Sequence, residues 1–146
     1  MKHRVYKFKR IEDDPETIKA LLSFAGSAGD TWTLSSYLNK MMLDKHLSAP
    51  QVYHRAELDR QIYNRLIQYN GSKRAAKRTL LQISIGILAT ESEAVDLLSI
   101  CGYAFTSEPE DRAYLFCIRQ GLYTMYNVWE AIEILGKKRP GSSKTT

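Results

Sequence analysis

Residues 48 to 78 read SAPQVYHRAELDRQIYNRLIQYNGSKRAAKR, and the helix starts and apolar spacings within this stretch decide the fold. Ser48 is a capping residue, and Pro50 follows it in the first turn, where the N–H that proline lacks would have no partner anyway. Val52, Tyr53 and Ala56 then face inward at helical spacing. Asp59 caps a second helix, whose buried stripe is Ile62, Tyr63, Leu66 and Ile67. Only Glu57 and Leu58 separate the two, so the second helix must turn sharply across the first. Tyr69 to Lys73 (YNGSK) ends the stretch in a turn, with Asn70 and Gly71 supplying backbone freedom.

The same stretch is rich in positive charge. Arg55, Arg60, Arg65, Lys73, Arg74, Lys77 and Arg78 outnumber Glu57 and Asp59 by five, which equals the formal net charge of the whole chain, +5. A local excess of this kind points to a polyanionic partner met by one element rather than to a diffusely basic surface.

Outward from this segment, the pattern is all-α. Asp13, Asp14, Pro15 and Glu16 form a capping box with proline at the first helical position, opening a helix over 15–25 with Leu21, Leu22 and Phe24 on its apolar stripe. Gly26 to Asp30 (GSAGD) is the linker candidate. From Thr31, the positions Trp32, Leu34, Tyr37, Leu38, Met41 and Met42 give an amphipathic helix to about Lys45. Leu80, Leu81, Ile83, Ile85, Ile87 and Leu88 make the next helix apolar nearly all round, so it is expected at the centre. Thr90 and Glu93 form another capping box, Val95, Leu97, Leu98 and Ile100 pack inward, and Gly102 ends that helix. Helices near 109–120 and 125–135 follow, carrying Tyr114, Leu115, Phe116 and Ile118, then Tyr126, Val128, Trp129, Ile132 and Leu135 as core stripes. The expected organisation is an N-terminal basic arm and helix (1–30), a helix-turn-helix domain (31–103), two C-terminal helices (104–136) and a disordered polar tail (137–146).

Composition excludes several function classes. With 146 residues and 44% hydrophobic content, the chain supports one core plus extensions. No apolar run is long enough to span a bilayer, and MKHRVYKFKR lacks the apolar centre of a signal peptide, so a soluble cytoplasmic protein without membrane contact is expected. Cys101 and Cys117 are too few for a disulfide framework or zinc site. His3, His46 and His54 lack metal-ligand spacing. No nucleophile or carboxylate pair sits beside a plausible base, and Glu91 and Glu93 suit a helix start. No catalytic residue, metal or cofactor is expected, and the protein reads as non-enzymatic.

Helix-turn-helix recognition needs a scaffold helix over the phosphates and a second helix whose outer face enters the major groove of double-stranded DNA. With Ile62, Tyr63 and Leu66 inward, Arg60, Gln61, Asn64, Arg65 and Gln68 point outward as base-reading candidates: Arg suits guanine, and Asn or Gln suits adenine. Gln51 and Arg55 on the first helix, with Lys73, Arg74, Lys77 and Arg78 around the following helix start, are the phosphate-binding candidates.

The segment LSAPQVYHRAELDRQIYNRLIQ resembles the helix-turn-helix of the lambda-repressor-like (xenobiotic-response-element) family. Leu47 and Ser48 open the first helix, Val52 and Tyr53 sit at its centre, and Leu58 and Asp59 precede the recognition helix. More widely, the stretch from about Thr31 to Phe105 is similar to a divergent bacterial branch of that superfamily, through Lys77-Arg78-Thr79, the run Glu93 to Leu98, and Gly102-Tyr103. The resemblance implies a five-helix fold and DNA binding in transcriptional control. The phosphate-anchoring glutamine typical of the scaffold helix is replaced by Ala49 or Pro50, with Gln51 one or two places later, and Glu57 stands where the tight turn usually has a small residue.

A second reading reuses the fold as an adaptor or inhibitor that docks as a protein partner onto a nucleic-acid-processing complex, as a mobile-element product would. The basic arm (Lys2, Arg4, Lys7, Lys9, Arg10) either enters an adjacent groove or keeps an exposed strand soluble. The C-terminal helices, with Tyr123, Tyr126 and Trp129, either cover the core or form a homodimer face.

Overall fold

Helix ends are written into this chain by short polar side chains, and these ends fix where each rod begins. The computed structural model describes residues 10–26, 33–68 and 75–136. The expected turn at 69–73, most of the basic arm, the linker after Gly26, Trp32 and the tail lie outside the described residues. The chain divides into two compact units, Met1–Thr31 and Trp32–Thr146.

In the first unit a 3₁₀ turn, Ile11–Asp13, leads into α1, Pro15–Gly26. The Asp14 carboxylate accepts from the Glu16 N–H at 3.3 Å and the Thr17 hydroxyl at 2.7 Å, so both residues answer the capping residue. The expected core stripe is not buried: Leu21, Leu22 and Phe24 are all exposed.

The second unit contains α2 (Leu34–Lys45), α3 (Ala49–Arg55), α4 (Arg60–Ile67), α5 (Lys77–Gly86), α6 (Glu91–Ile100), α7 (Pro109–Gln120) and α8 (Met125–Gly136). No strand occurs among the described residues, and no helix there is long and apolar enough to cross a membrane. α2 starts at Leu34, because Thr33 and Ser36 form a reciprocal capping box. Ser48 with Gln51 does the same for α3, and Thr90 with Glu93 for α6, each satisfying N–H groups that the helix itself cannot.

Five helix ends close with a 6→1 hydrogen bond around a left-handed residue. Gly102 and Gly121 suit that conformation, but His46, Glu57 and Leu88 adopt it too, with φ of 57°, 59° and 55°. At the α3–α4 turn the Leu58 N–H donates to the Tyr53 carbonyl at 2.9 Å. Its left-handed residue is Glu57, where a side chain costs about 1 kcal/mol relative to glycine. After α5 the Ala89 N–H donates to Ser84 O at 3.0 Å, so Ile87 and Leu88 belong to the turn and not, as periodicity suggests, to the helix.

α5 is the hub, packing against α3, α6 and α7, while α2 packs on α4 and α6, and α7 carries α8. Leu80, Leu81, Ile83, Ser84, Ile85 and Gly86 are all buried. Each fully buried Leu or Ile contributes about 1.5–3 kcal/mol. The crossing of α3 and α5 is close: a Cβ added at Gly86 would lie 2.2 Å from the Val52 carbonyl oxygen and 3.0 Å from the Ala56 Cβ. Two hydrogen bonds frame the crossing, Arg55 Nη1 to Gly86 O at 3.1 Å and Gln82 Nε2 to Ala56 O at 3.0 Å. Both cysteines are buried. Tyr114 is also fully buried, its hydroxyl has no hydrogen-bond partner, and burial raises its pKa. Several expected core positions are instead exposed: Val95, Phe116, Tyr126 and Leu135.

Two substitutions test this architecture by chemical unfolding. Gly86→Ala drives backbone against backbone and is expected to destabilise the bundle by about 2–4 kcal/mol. Glu57→Gly relieves the left-handed turn and is expected to stabilise it by about 1 kcal/mol.

Candidate nucleic-acid interface

The rotation of α4 about its axis decides which side chains meet solvent. Asp59 accepts from the Ile62 N–H at 2.8 Å and fixes the start of the helix. Tyr63 and Leu66 are buried and Ile62 half-buried. The Tyr63 ring lies 5.3 Å from that of Tyr53 on α3, and its hydroxyl donates to Met42 Sδ at 3.5 Å, so α4 is held from both neighbours. With this side inward, Arg60, Gln61, Asn64, Arg65 and Gln68 are all exposed. Their spacing puts them on one outer face. Among the described residues none of the five makes a side-chain hydrogen bond or ion pair.

The expected phosphate-binding set is placed differently. Gln51 Oε1 accepts from the Ser48 N–H at 2.8 Å, which leaves its amide NH₂ to donate outward. Arg55 is half-buried with Nη1 on the Gly86 carbonyl. Lys77 Nζ lies 2.6 Å from Asp111 Oδ2, whose side chain is only 6% exposed. Arg78 makes a bidentate pair with Glu110, at 2.7 and 3.0 Å. Lys73 and Arg74 lie outside the described residues.

This pairing changes the charge map. The chain carries a formal net charge of +5, but much of the positive charge among the described residues is taken up internally. Six described bases form ion pairs with carboxylates: Arg10, Lys40, Lys45, Lys77, Arg78 and Arg119. Lys19, Arg55, Arg60, Arg65 and Arg112 face no carboxylate among the described residues. Arg60 and Arg65 are therefore the uncompensated cations of α4, flanked by exposed Glu57 and Asp59.

Sequence reasoning missed the ion pairs that tie the helices together. Lys45 Nζ donates to the Ile87 and Leu88 carbonyls at 3.1 and 2.8 Å and to Glu93 Oε1 at 2.7 Å, so one ammonium ties the end of α5 to the start of α6. Asp111 Oδ2 accepts from the Thr106 N–H and hydroxyl as well as from Lys77. Burial alone would raise the Asp111 carboxyl, but the Lys77 and Thr106 hydrogen bonds outweigh it and hold it below its ordinary value. Burial likewise opposes, and Lys45 and Thr90 outweigh, at Glu93, which is also lowered. The adjacent pair Lys77-Arg78 faces the adjacent pair Glu110-Asp111, a complementarity present in the sequence but 32 to 34 residues apart.

No group of His, Cys, Asp and Glu among the described residues could hold a metal ion. No protein-family model, curated protein or solved structure matches the chain.

Acid titration tests the internal ion pairs. Because the folded-state pKa values of Asp111 and Glu93 are lowered, their contribution is fully present above the ordinary values of 3.8 and 4.5 and is lost as pH falls through the lower folded values. Stability should therefore fall steeply on acidification below about pH 4. Asp111→Asn should cost about 2–4 kcal/mol near neutral pH and flatten that acid limb, as read from urea unfolding at a series of pH values.

Proposed function

We propose that α3 and α4 are the scaffold and recognition helices of a sequence-specific, double-stranded-DNA-binding transcriptional regulator of the lambda-repressor-like (xenobiotic-response-element) type. In this reading α2 to α6 are its five-helix bundle. The observation that carries it is the outer face of α4, where two arginines and three amide side chains stand together, exposed and without partners among the described residues. Major-groove reading needs this set: Arg60 and Arg65 suit the O6/N7 edge of guanine, while Gln61, Asn64 and Gln68 suit the N6/N7 edge of adenine.

Further support comes from the turn. Glu57 adopts the left-handed backbone that the tight turn demands although it is not a small residue, so the helix pair is kept in spite of its sequence. Backbone contact then falls to Gln51 and Arg55 on α3 and to Lys73 and Arg74 before α5. Lys77 and Arg78 reach phosphate only by exchanging Asp111 and Glu110 for it, so their contribution to affinity is small in this reading. No enzymatic step, metal or cofactor enters.

The charge map favours one other reading. Lys77 and Arg78, neutralised by Asp111 and Glu110, leave fewer cations for phosphate contact, which suits an adaptor or inhibitor that binds a protein of a nucleic-acid-processing complex.

Enrichment of bound duplexes from a random pool, followed by anisotropy titration, separates the two. The regulator reading expects a defined site, a steep fall of affinity with salt, and a loss of about 1–3 kcal/mol at that site for Arg60→Ala or Asn64→Ala with little change on unrelated duplex. Absence of duplex binding at low salt, with a protein partner retained at high salt, would replace it with the adaptor.

A further inference from the structure

Lys77 and Arg78 are consecutive in the first turn of α5 and face consecutive acids in the first turn of α7, yet the two pairs are built differently. The Asp111 side chain is 6% exposed, and its Oδ2 also accepts from the Thr106 N–H and hydroxyl at 2.6 and 2.7 Å, so Lys77 closes a clasp made by several donors. The Arg78 and Glu110 side chains are 52% and 24% exposed. Arg78 is the one hydrogen-bond donor that the Glu110 carboxylate meets among the described residues. The guanidinium meets that carboxylate through Nε and Nη2, with the fork that also suits a phosphate.

We propose that Glu110 is a specificity-determining residue of the DNA interface: it occupies the Arg78 fork in place of phosphate and keeps the start of α5 from gripping duplex of any sequence. The inference rests on the reading of α3 and α4 as a DNA-binding helix pair. Phosphate that displaces Glu110 replaces one charge-assisted bidentate pair with another, so the exchange is close to neutral. It proceeds only where other contacts already hold phosphate nearby. Base contacts from α4 at a cognate site meet that condition, and unrelated duplex does not. Glu110 therefore weakens sequence-independent binding, which phosphate contacts dominate, more than it weakens binding to the site. Two other cations mark Arg78 out by contrast. Lys77 is excluded, because its departure would leave the buried Asp111 carboxylate charged and short of a donor. Arg119 makes a similar exposed fork with Glu91, but it lies in the last turn of α7, where the helix dipole favours a cation. Arg78 lies in a first turn that holds no acid of its own.

Anisotropy titration of the full chain against an unrelated duplex at a series of salt concentrations tests the proposal. The variants are Glu110→Gln, Glu108→Gln, and Glu110→Gln combined with Arg78→Ala. Glu108 is exposed and forms no ion pair among the described residues, so its variant makes the same change of net charge without freeing Arg78. Glu110→Gln is expected to bind unrelated duplex about tenfold more tightly at low salt, and to steepen the slope of log affinity against log salt by about 0.9, the value of one further phosphate contact. At the site selected by the wild type its gain should be about threefold or less, so the specificity ratio falls. Glu108→Gln should change affinity by less than about twofold, and the double variant should lose both the gain and the added slope. A Glu110→Gln gain no larger than that of Glu108→Gln, an unchanged salt slope, or a gain that persists without Arg78 would each overturn the role of Glu110. Those results leave the α4 reading standing where the selected site still depends on Arg60 and Asn64. Absence of duplex binding at low salt by both wild type and Glu110→Gln overturns the two together.

Discussion

The contact on which the second unit depends is the crossing of α3 over α5 at Gly86. A side chain at that position would occupy the space of the Val52 carbonyl, so only glycine allows the two backbones to approach. The neighbouring groups then become reachable: the Arg55 guanidinium meets the Gly86 carbonyl, and the Gln82 amide meets Ala56. α3 is only seven residues long, too short to be stable by itself. Its direction is borrowed from α5, and α4 in turn takes its orientation from α3 and α2 through the Tyr63 contacts. The outer face of α4 is thus positioned by a chain of packing that begins at one missing methyl group.

Charge in this protein is organised by pairing inside the fold. Lys45 stitches α5 to α6, Lys77 and Arg78 join α5 to α7, and Arg119 joins α7 to α6. All four of these pairs involve carboxylates in the first turn of a helix, where the macrodipole already favours them. Among the described residues, what remains uncompensated on α4 coincides with the amide side chains.

Much of this was legible in the sequence, because local chemistry determines local structure. Ser48, Asp59 and Thr90 cap the helices their positions imply, and α5 is central as its unbroken apolar character requires. The outward set on α4 followed from the inward set by a 3.6-residue period alone. The rest depended on partners far along the chain. Nothing near Lys77 announces Asp111, and Gly86 reads locally as a helix weakener until Val52 is seen against it. Val95 and Phe116 have the right spacing for a core that stops short of them. Periodicity reports which residues share a face, not whether that face is covered.

Tyr114 gives the molecule an optical gauge of its own integrity. Its phenol sits in the middle of α7 with no exposure and no partner for the hydroxyl, and burial makes its ionisation unfavourable. Phenolate absorbs in the near ultraviolet where phenol does not, so in strong alkali this ring stays dark while the bundle is closed. The absorbance gained on opening, to which buried Tyr63 also contributes, would follow the loosening of the bundle without a label and without touching the surface proposed to meet DNA.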